Sequence, residues 1–278
     1  MGRCVVAFAP GHISGFFKRV DGPTAAETGS LGAGIVIGYG VKVAMKPAAK
    51  TAITIKGGEA DPAFLTEAIN ALGIHAEVYA EAELPIGAGF GMSAACLLAA
   101  AAAANRLFDL GMSSRDIVSF AHKFEVEHGT GLGDAAASAA GGVDFRTAPG
   151  VDGVSKRIAS DEMIYAVSLG GIATPDVIGS ADAMQQVKSA YPDAVPETLA
   201  DVFTLSRSFA EKSSLITGKV RTLLNACDAA GILASMTMLG EGVFACGSRA
   251  PEVLEQFGHV YAFPVSKTGP VILEDSNV

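Results

Sequence analysis

Apolar and polar positions alternate along "HAEVYAEAELP", His75 to Pro85, the period of a strand with one face buried. Apolar runs bounded by glycine or proline predict further strands at "CVVAFAP", "GAGIVIGYGVKVAMKP", "TAITIKG", "MIYAVSLGG", "GVFACG" and "HVYAFPV". A helical period governs "DPAFLTEAINALG", where Asp61 is placed to cap and Pro62 stands in the first turn. It governs "SSRDIVSFAHKFEVEHG" too, capped near Ser113 or Ser114, and predicts helices near 180–190, 197–213 and 217–230. From about Ser93 to Leu107 the pattern is apolar nearly all round, which predicts a central, buried helix. Strands and helices mix without a regular βαβ rhythm, so the fold class is α+β. The polar, turn-rich stretch "RTAPGVDGVSKRIASDE" is the best candidate boundary, dividing the chain into 1–150 and 151–278.

Composition narrows the partners. Half of the residues are apolar, enough for a substantial core. Lys and Arg number 20 against 29 Asp and Glu, a net charge of −9 with no basic run. That argues against nucleic acid, whose phosphates need clustered cations. An anionic ligand must therefore be held by a local site. The four cysteines, Cys4, Cys96, Cys227 and Cys246, are far apart and form no CxxC pair, as expected of free thiols in a reducing cytoplasm. "MGRCVVAFAPGH" lacks a useful signal-peptide core. The longest apolar run, Ala94 to Ala104, falls short of the roughly 20 residues a membrane span needs. A cytoplasmic protein with no membrane partner is the expectation.

Candidate chemistry begins at "LPIGAGFGMSAACLLAAAAAANRL", Leu84 to Leu107, a glycine-rich loop between a strand and a helix. Consecutive amides in such a loop can point inward as an anion nest with a helix N-terminus behind it. The dinucleotide pattern G-x-G-x-x-G fails at Met92, and no G-x-x-x-x-G-K-[ST] string exists. A third pattern, P-x-G-x-G-x-G-S-S-A-A, is matched at Pro85, Gly87, Gly89, Gly91, Ser93, Ala94 and Ala95, with Met92 where serine is common. This resembles the second motif of the GHMP kinases. "EVEHGTGLGD" resembles that family's E-x-x-H-G-x-x-S-G-x-D region, with Gly131 in place of a common serine. "MTMLGEGVFACG" resembles the third motif, a glycine turn between helix and strand beside the phosphate loop, carried by Gly240 and Gly242 with an atypical Glu241. "PGHISGFFKRVDG" stands where the first motif usually has a basic residue; His12 takes that place, and Lys18 is only a weak substitute. "APGHISGFF", "TGSLGAG" and "AHKFEVEHGTGLGDAAASAAGG" resemble the archaeal pantoate kinase branch.

The resemblance implies a GHMP kinase fold, its N-terminal half like ribosomal protein S5 domain 2 and its C-terminal half ferredoxin-like. It implies ATP and Mg²⁺ as cofactors, with ATP phosphates over Pro85, Gly87, Gly89, Gly91, Met92, Ser93 and Ala94. Ser93 and Glu125 would hold the metal, and Asp134 would sit beside the acceptor hydroxyl. A carboxylate within hydrogen-bond reach of that hydroxyl can orient it and take its proton. Asp134 also stands where a cap for the following helix is useful, and the two roles are compatible. Glu127 is expected to be solvated. The spacing of His122, Glu125 and His128 lacks the second cluster that a di-iron bundle requires. The acceptor implied is (R)-pantoate, phosphorylated at its 4-hydroxyl on the way to coenzyme A, contacted by Ser30, His122, Arg146 and His12. Homoserine, mevalonate or shikimate are alternative acceptors, and a non-catalytic nucleotide-binding regulator is an alternative of another class. The family resemblance also implies a possible homodimer.

Overall fold

The computed structural model describes residues 2–57, 61–171 and 179–277. Two long strands, β1 (Arg3–Val20) and β2 (Gly29–Pro47), form an antiparallel ribbon at the centre of a seven-stranded sheet. The expected strand at "CVVAFAP" runs on past Pro10, because the register shifts at Pro10/Gly11 and again at Ser14/Phe16. A proline is tolerated at such an irregularity, and the bend it makes re-aims the side chains that follow. β3 (Ala52–Lys56) and β4 (Ala76–Ala82) extend the sheet on one side, joined by α1 (Pro62–Ala71), which Asp61 caps at the Ala63 amide.

α2 (Met92–Phe108) lies across β1 and β2. Its alanines let the helix approach the sheet closely, and apart from the half-buried Cys96 the run from Ala94 to Ala104 packs with little or no exposure. α3 (Ser114–His128) packs on α2 and starts with a capping box between Ser113 and Asp116. A four-residue helix, α4 (Asp134–Ala137), leads into β5 (Val143–Arg146), which pairs with β2, and β6 (Val154–Ile158) pairs with β5.

The second sheet has four strands in the order β10-β7-β9-β8, with β7 Met163–Gly171, β8 Leu233–Met236, β9 Gly240–Cys246 and β10 Val260–Pro264. α5 (Ala181–Ala190), α6 (Leu199–Lys212), α7 (Gly218–Ala229) and the short α8 (Ala250–Leu254) accompany it. β11 (Val271–Asn277) returns to the first sheet beside β1. No helix among the described residues is long and apolar enough to cross a membrane.

Candidate active site

The glycine loop is left-handed at three alternate positions, with φ of +78° at Gly87, +81° at Gly89 and +67° at Gly91. Any other residue would be strained there. Gly91 is also the N-cap of α2, and no side chain bonds the first amides of that helix. Those amides and the positive end of the helix dipole are left to attract an anion.

Two neighbours hold the loop in shape. The His12 amide donates to the Phe90 carbonyl at 3.0 Å. The Thr237 hydroxyl donates to the Ala88 carbonyl at 3.2 Å. A Cβ at Gly240 would fall 2.2 Å from that same carbonyl, so glycine there lets the β8–β9 turn press against the loop. The third glycine motif thus lies beside the loop as expected, but between two strands instead of after a helix. Glu241, atypical in the motif, is ion-paired to Lys219 at 3.2 Å.

An open cleft of about 710 Å³ runs from this loop toward β1, β2 and α4. His12, Ser30, Gly87, Gly89, Gly91, Met92, Ser93, Glu125 and Asp134 line it, so the structure brings together most of the residues singled out by the sequence. Four others do not reach its wall. Pro85 begins the loop, and Ala94 is buried in α2. His122 is buried, with Nε2 2.9 Å from the Thr28 carbonyl. Arg146 is buried and ion-paired to Asp144, one layer behind the cleft. A Cβ on Gly133 would fall 2.5 Å from Ser30 Oγ and 3.1 Å from Arg146 Nε, so these three positions adjoin, and Arg146 Nε has no partner. Lys18 lies over the Tyr191 ring, 5.5 Å from its centre.

Asp134 is the first residue of α4, and its side chain makes no capping bond. Its Oδ1 accepts instead from the Ser14 hydroxyl at 3.2 Å and lies 2.7 Å from His12 Nδ1. His12 Nε2 lies 2.7 Å from Asp144 Oδ1. Burial pushes the Asp134 carboxyl upward, but the His12 contact, Arg146 and Ser14 outweigh it and hold the carboxyl below its ordinary value. Asp144 follows the same pattern, with burial overcome by Arg146 and His12. Burial also opposes charge on His12, yet the two aspartates raise its pKa.

Glu125 is the opposite case. It is buried, neither carboxylate oxygen has a well-formed hydrogen bond, and burial with the nearby Asp134 charge outweighs the pull of the Ala135 amide and pushes its carboxyl well above the usual range. An orphaned buried carboxylate facing a cleft is costly unless something satisfies it. A magnesium ion carried by nucleotide phosphates suits it, since Mg²⁺ takes one or two carboxylates and fills its other positions with phosphate and water. The half-buried Ser93 hydroxyl on the same cleft could join it. Gly131 now has a reason: a Cβ there would fall 2.6 Å from Glu125 Oε1, so a side chain would crowd the carboxylate. Glu127 is exposed, and His128 bonds the Phe124 carbonyl and Glu67.

Sequence reasoning missed Ser14 and Asp144. The signal was present in the strand period: Ser14 stands two residues from His12, and Asp144 two from Arg146, each pair on one face. What the sequence does not carry is the pairing of β1, β2 and β5 that stacks these faces.

A model of the GHMP kinases N terminal domain matches residues 60–142. A pantoate kinase of Methanospirillum hungatei JF-1 is 42% identical over 97% of this chain and 96% of its own length. A pantoate kinase of Thermococcus kodakarensis is 31% identical, with 86% of each chain covered. Among solved structures, a phosphotransferase related to the CoA biosynthesis pathway superposes with a TM-score of 0.83 at 25% identity, covering 97% of this chain and 98% of that one. A homoserine kinase from Cytophaga hutchinsonii, at 18% identity and a TM-score of 0.66 over 97% of both chains, shares the fold.

Proposed function

This chain belongs to the pantoate kinase family of the GHMP kinases, and on that premise we propose that it transfers the γ-phosphoryl group of ATP to the 4-hydroxyl of (R)-pantoate, forming 4-phosphopantoate for coenzyme A biosynthesis. The observation that carries the mechanism is the shared cleft: a left-handed glycine loop at one end, the Asp134 carboxylate at the other, and the unpartnered Glu125 facing the same space.

Phosphoryl transfer is chiefly positioning and charge neutralisation. The loop amides and the α2 N-terminus hold the triphosphate without any cationic side chain. Glu125 and Ser93 would hold Mg²⁺, which when bound neutralises charge on the β- and γ-phosphates. Asp134 accepts the hydrogen bond of the acceptor hydroxyl and takes its proton. Ser30 faces the cleft to meet the acceptor. Arg146, with Nε unpartnered behind Gly133, is placed to attract the carboxylate of a hydroxy acid. His122 acts at one remove: its bond to the Thr28 carbonyl fixes the start of β2, which carries Ser30. The four free cysteines suit work in a reducing cytoplasm.

The test is ADP release, coupled to a spectrophotometric readout, over (R)-pantoate, homoserine, mevalonate and shikimate. Pantoate should give the highest kcat/KM. A higher value for another acceptor reassigns the substrate, and ATP binding without ADP release on any of them defeats the kinase reading.

A further inference from the structure

His12 is wedged between two carboxylates. Nδ1 is 2.7 Å from Asp134 Oδ1 and Nε2 is 2.7 Å from Asp144 Oδ1, with the imidazole itself buried. An ionised carboxylate only accepts, and a neutral imidazole carries only one N–H. Two such short contacts therefore require either a protonated aspartate or an imidazolium donating from both nitrogens. The surroundings decide between them. Asp144 is bonded by the Arg146 guanidinium, and Arg157 adds to the positive field around it. Asp134 accepts from the Ser14 hydroxyl. Both carboxylates are thus supplied with donors, and a third carboxyl, Glu125, faces Asp134 from α3. Carboxylates supplied with donors in this way stay ionised and only accept, so the second proton belongs to His12, which as an imidazolium donates to both.

The chain also makes room for this ring. A Cβ at Gly34 on β2 would fall 2.1 Å from His12 Nε2, so glycine there leaves room for the imidazole to reach Asp144. The bulge at Pro10/Gly11 is where β1 turns His12 and Ser14 toward α4.

We propose that His12 is a positioning residue: an imidazolium anchored by Asp144, whose Nδ1–H holds Asp134 ionised and aimed at the acceptor hydroxyl. The role rests on the phosphoryl-transfer reading of the cleft. In the step, an electron pair of the hydroxyl oxygen forms the bond to the γ-phosphorus. The bond from that phosphorus to the bridging oxygen breaks, and ADP leaves with its electron pair. The hydroxyl proton passes to Asp134 and later to solvent; His12 keeps both of its protons throughout. A carboxylate stabilised in this way is a weaker base, but in a loose transition state little proton transfer is needed early, so orientation counts for more than basicity.

The sign of the pH dependence follows. A histidine whose folded pKa is raised keeps its charge, and its contribution, below that value and loses both as pH rises through it. kcat should therefore fall on the alkaline side as His12 deprotonates. ¹⁵N-histidine NMR of the full chain, with His12→Gln to assign the signal, should show both His12 ring nitrogens protonated at pH 7.5; a neutral ring overturns the proposal. Asp144→Asn should move the alkaline limb of kcat to lower pH by about one unit or more, with KM for ATP within about twofold of wild type; an unmoved limb in a folded variant overturns it. Should Asp144→Asn fail to fold, His12→Lys replaces it. Lysine supplies a cation that does not titrate in this range, so it should keep roughly tenfold or more of the activity that His12→Gln loses, and flatten the limb. Lysine no better than glutamine also overturns the proposal. The NMR result stands without turnover, so failure of the substrate assignment, seen as no ADP release from any acceptor, is distinguishable from failure of the His12 role.

Discussion

Between Gly87 and Ser93 the cleft is walled chiefly by backbone; across it stand the side chains of His12, Ser14 and Asp134, backed by the buried Asp144 and Arg146. The first region needs no cation. Three left-handed glycines give the loop the curl in which amides can form an anion nest, and a helix N-terminus adds its partial positive charge. A chain of net charge −9 can in this way bind a polyanion locally. The second region is built from opposite charges in contact: His12, Asp144 and Arg146 are buried, and Asp134 is half-buried at the cleft. It spends four side chains from two strands, His12 and Ser14 of β1 and Asp144 and Arg146 of β5, on presenting the carboxylate of Asp134. On the proposed reading the labour is divided: backbone takes the donor phosphates, and a side-chain set of opposite charges aims at the acceptor. Variants in one region should therefore leave the other's observable nearly untouched.

The largest effect is expected at the end of the side-chain set. Asp134→Ala removes the group that meets the hydroxyl, and kcat should fall by roughly 10³ or more, within the range general-base groups supply together with positioning. ATP affinity by titration calorimetry should change by less than about threefold, because the loop is intact. Ordinary turnover by this variant would dissolve the comparison.

Glu125→Gln comes next, and it separates function from stability. Turnover should fall roughly a hundredfold, since a metal at a phosphoryl oxygen contributes several kcal/mol. Stability should move the other way. The Glu125 carboxyl is raised in the folded chain, so the folded state binds its proton more tightly than the unfolded state does, and stability drains away as pH rises past the ordinary carboxylate range. Glutamine removes that cost. Tm without nucleotide or metal should rise by about 2–4 °C at pH 8 and by less at pH 5. A Tm lowered at both pH values would show that the carboxylate is satisfied within the protein.

Gly89→Ala probes the backbone region alone. The new Cβ would meet the Met238 carbonyl oxygen and Thr237 Cβ, each at 2.9 Å, and φ of +81° would cost about 1–2 kcal/mol. The loop should shift, raising KM for ATP by roughly tenfold while KM for the acceptor stays near wild type. Equal rises in both would mean that the loop and the acceptor end move as one body.

The same division explains what could be read in advance. The loop's shape was legible because it resides in glycine spacing: Gly87, Gly89 and Gly91 carry the positive φ values. α1 and α3 were legible from their caps, Asp61 and Ser113. The charged set was half legible. His12, Asp134 and Arg146 are visible singly, but Asp144 and Ser14 take their meaning from the pairing of β5 with β2 and of β2 with β1, long-range contacts that leave no local pattern. β1 was cut short at Pro10 for a related reason. A proline inside a run argues against a strand, and only the neighbouring strand reveals the bulge that accommodates it. The stretch after residue 146 was read as polar turn, yet within it Val154–Ile158 forms β6 against β5, with Arg157 reaching back toward α4.

That reach gives the smallest effect and the finest test. Arg157 donates to the carbonyls of Ala137 and Ala140, each at 2.9 Å, of Gly141 at 3.1 Å and of Ala136 at 3.3 Å. These are the carbonyls at and just after the end of α4, where a helix leaves its acceptors unsatisfied. The guanidinium therefore ties down the C-terminal side of the short helix whose first residue is Asp134. A charged donor serving backbone carbonyls contributes about 1.5–3 kcal/mol, so Arg157→Ala should lower Tm by several degrees. Asp134 keeps its bonds to His12 and Ser14, and these hold its side chain from the other direction. kcat should accordingly fall only a few-fold, and ATP affinity should not change. Arg157→Lys offers one ammonium where a planar fork spans four acceptors, and should recover part of the Tm but not all of it. A loss of kcat as large as that of Asp134→Ala would mean that the helix, more than the imidazole, sets the aim of the carboxylate.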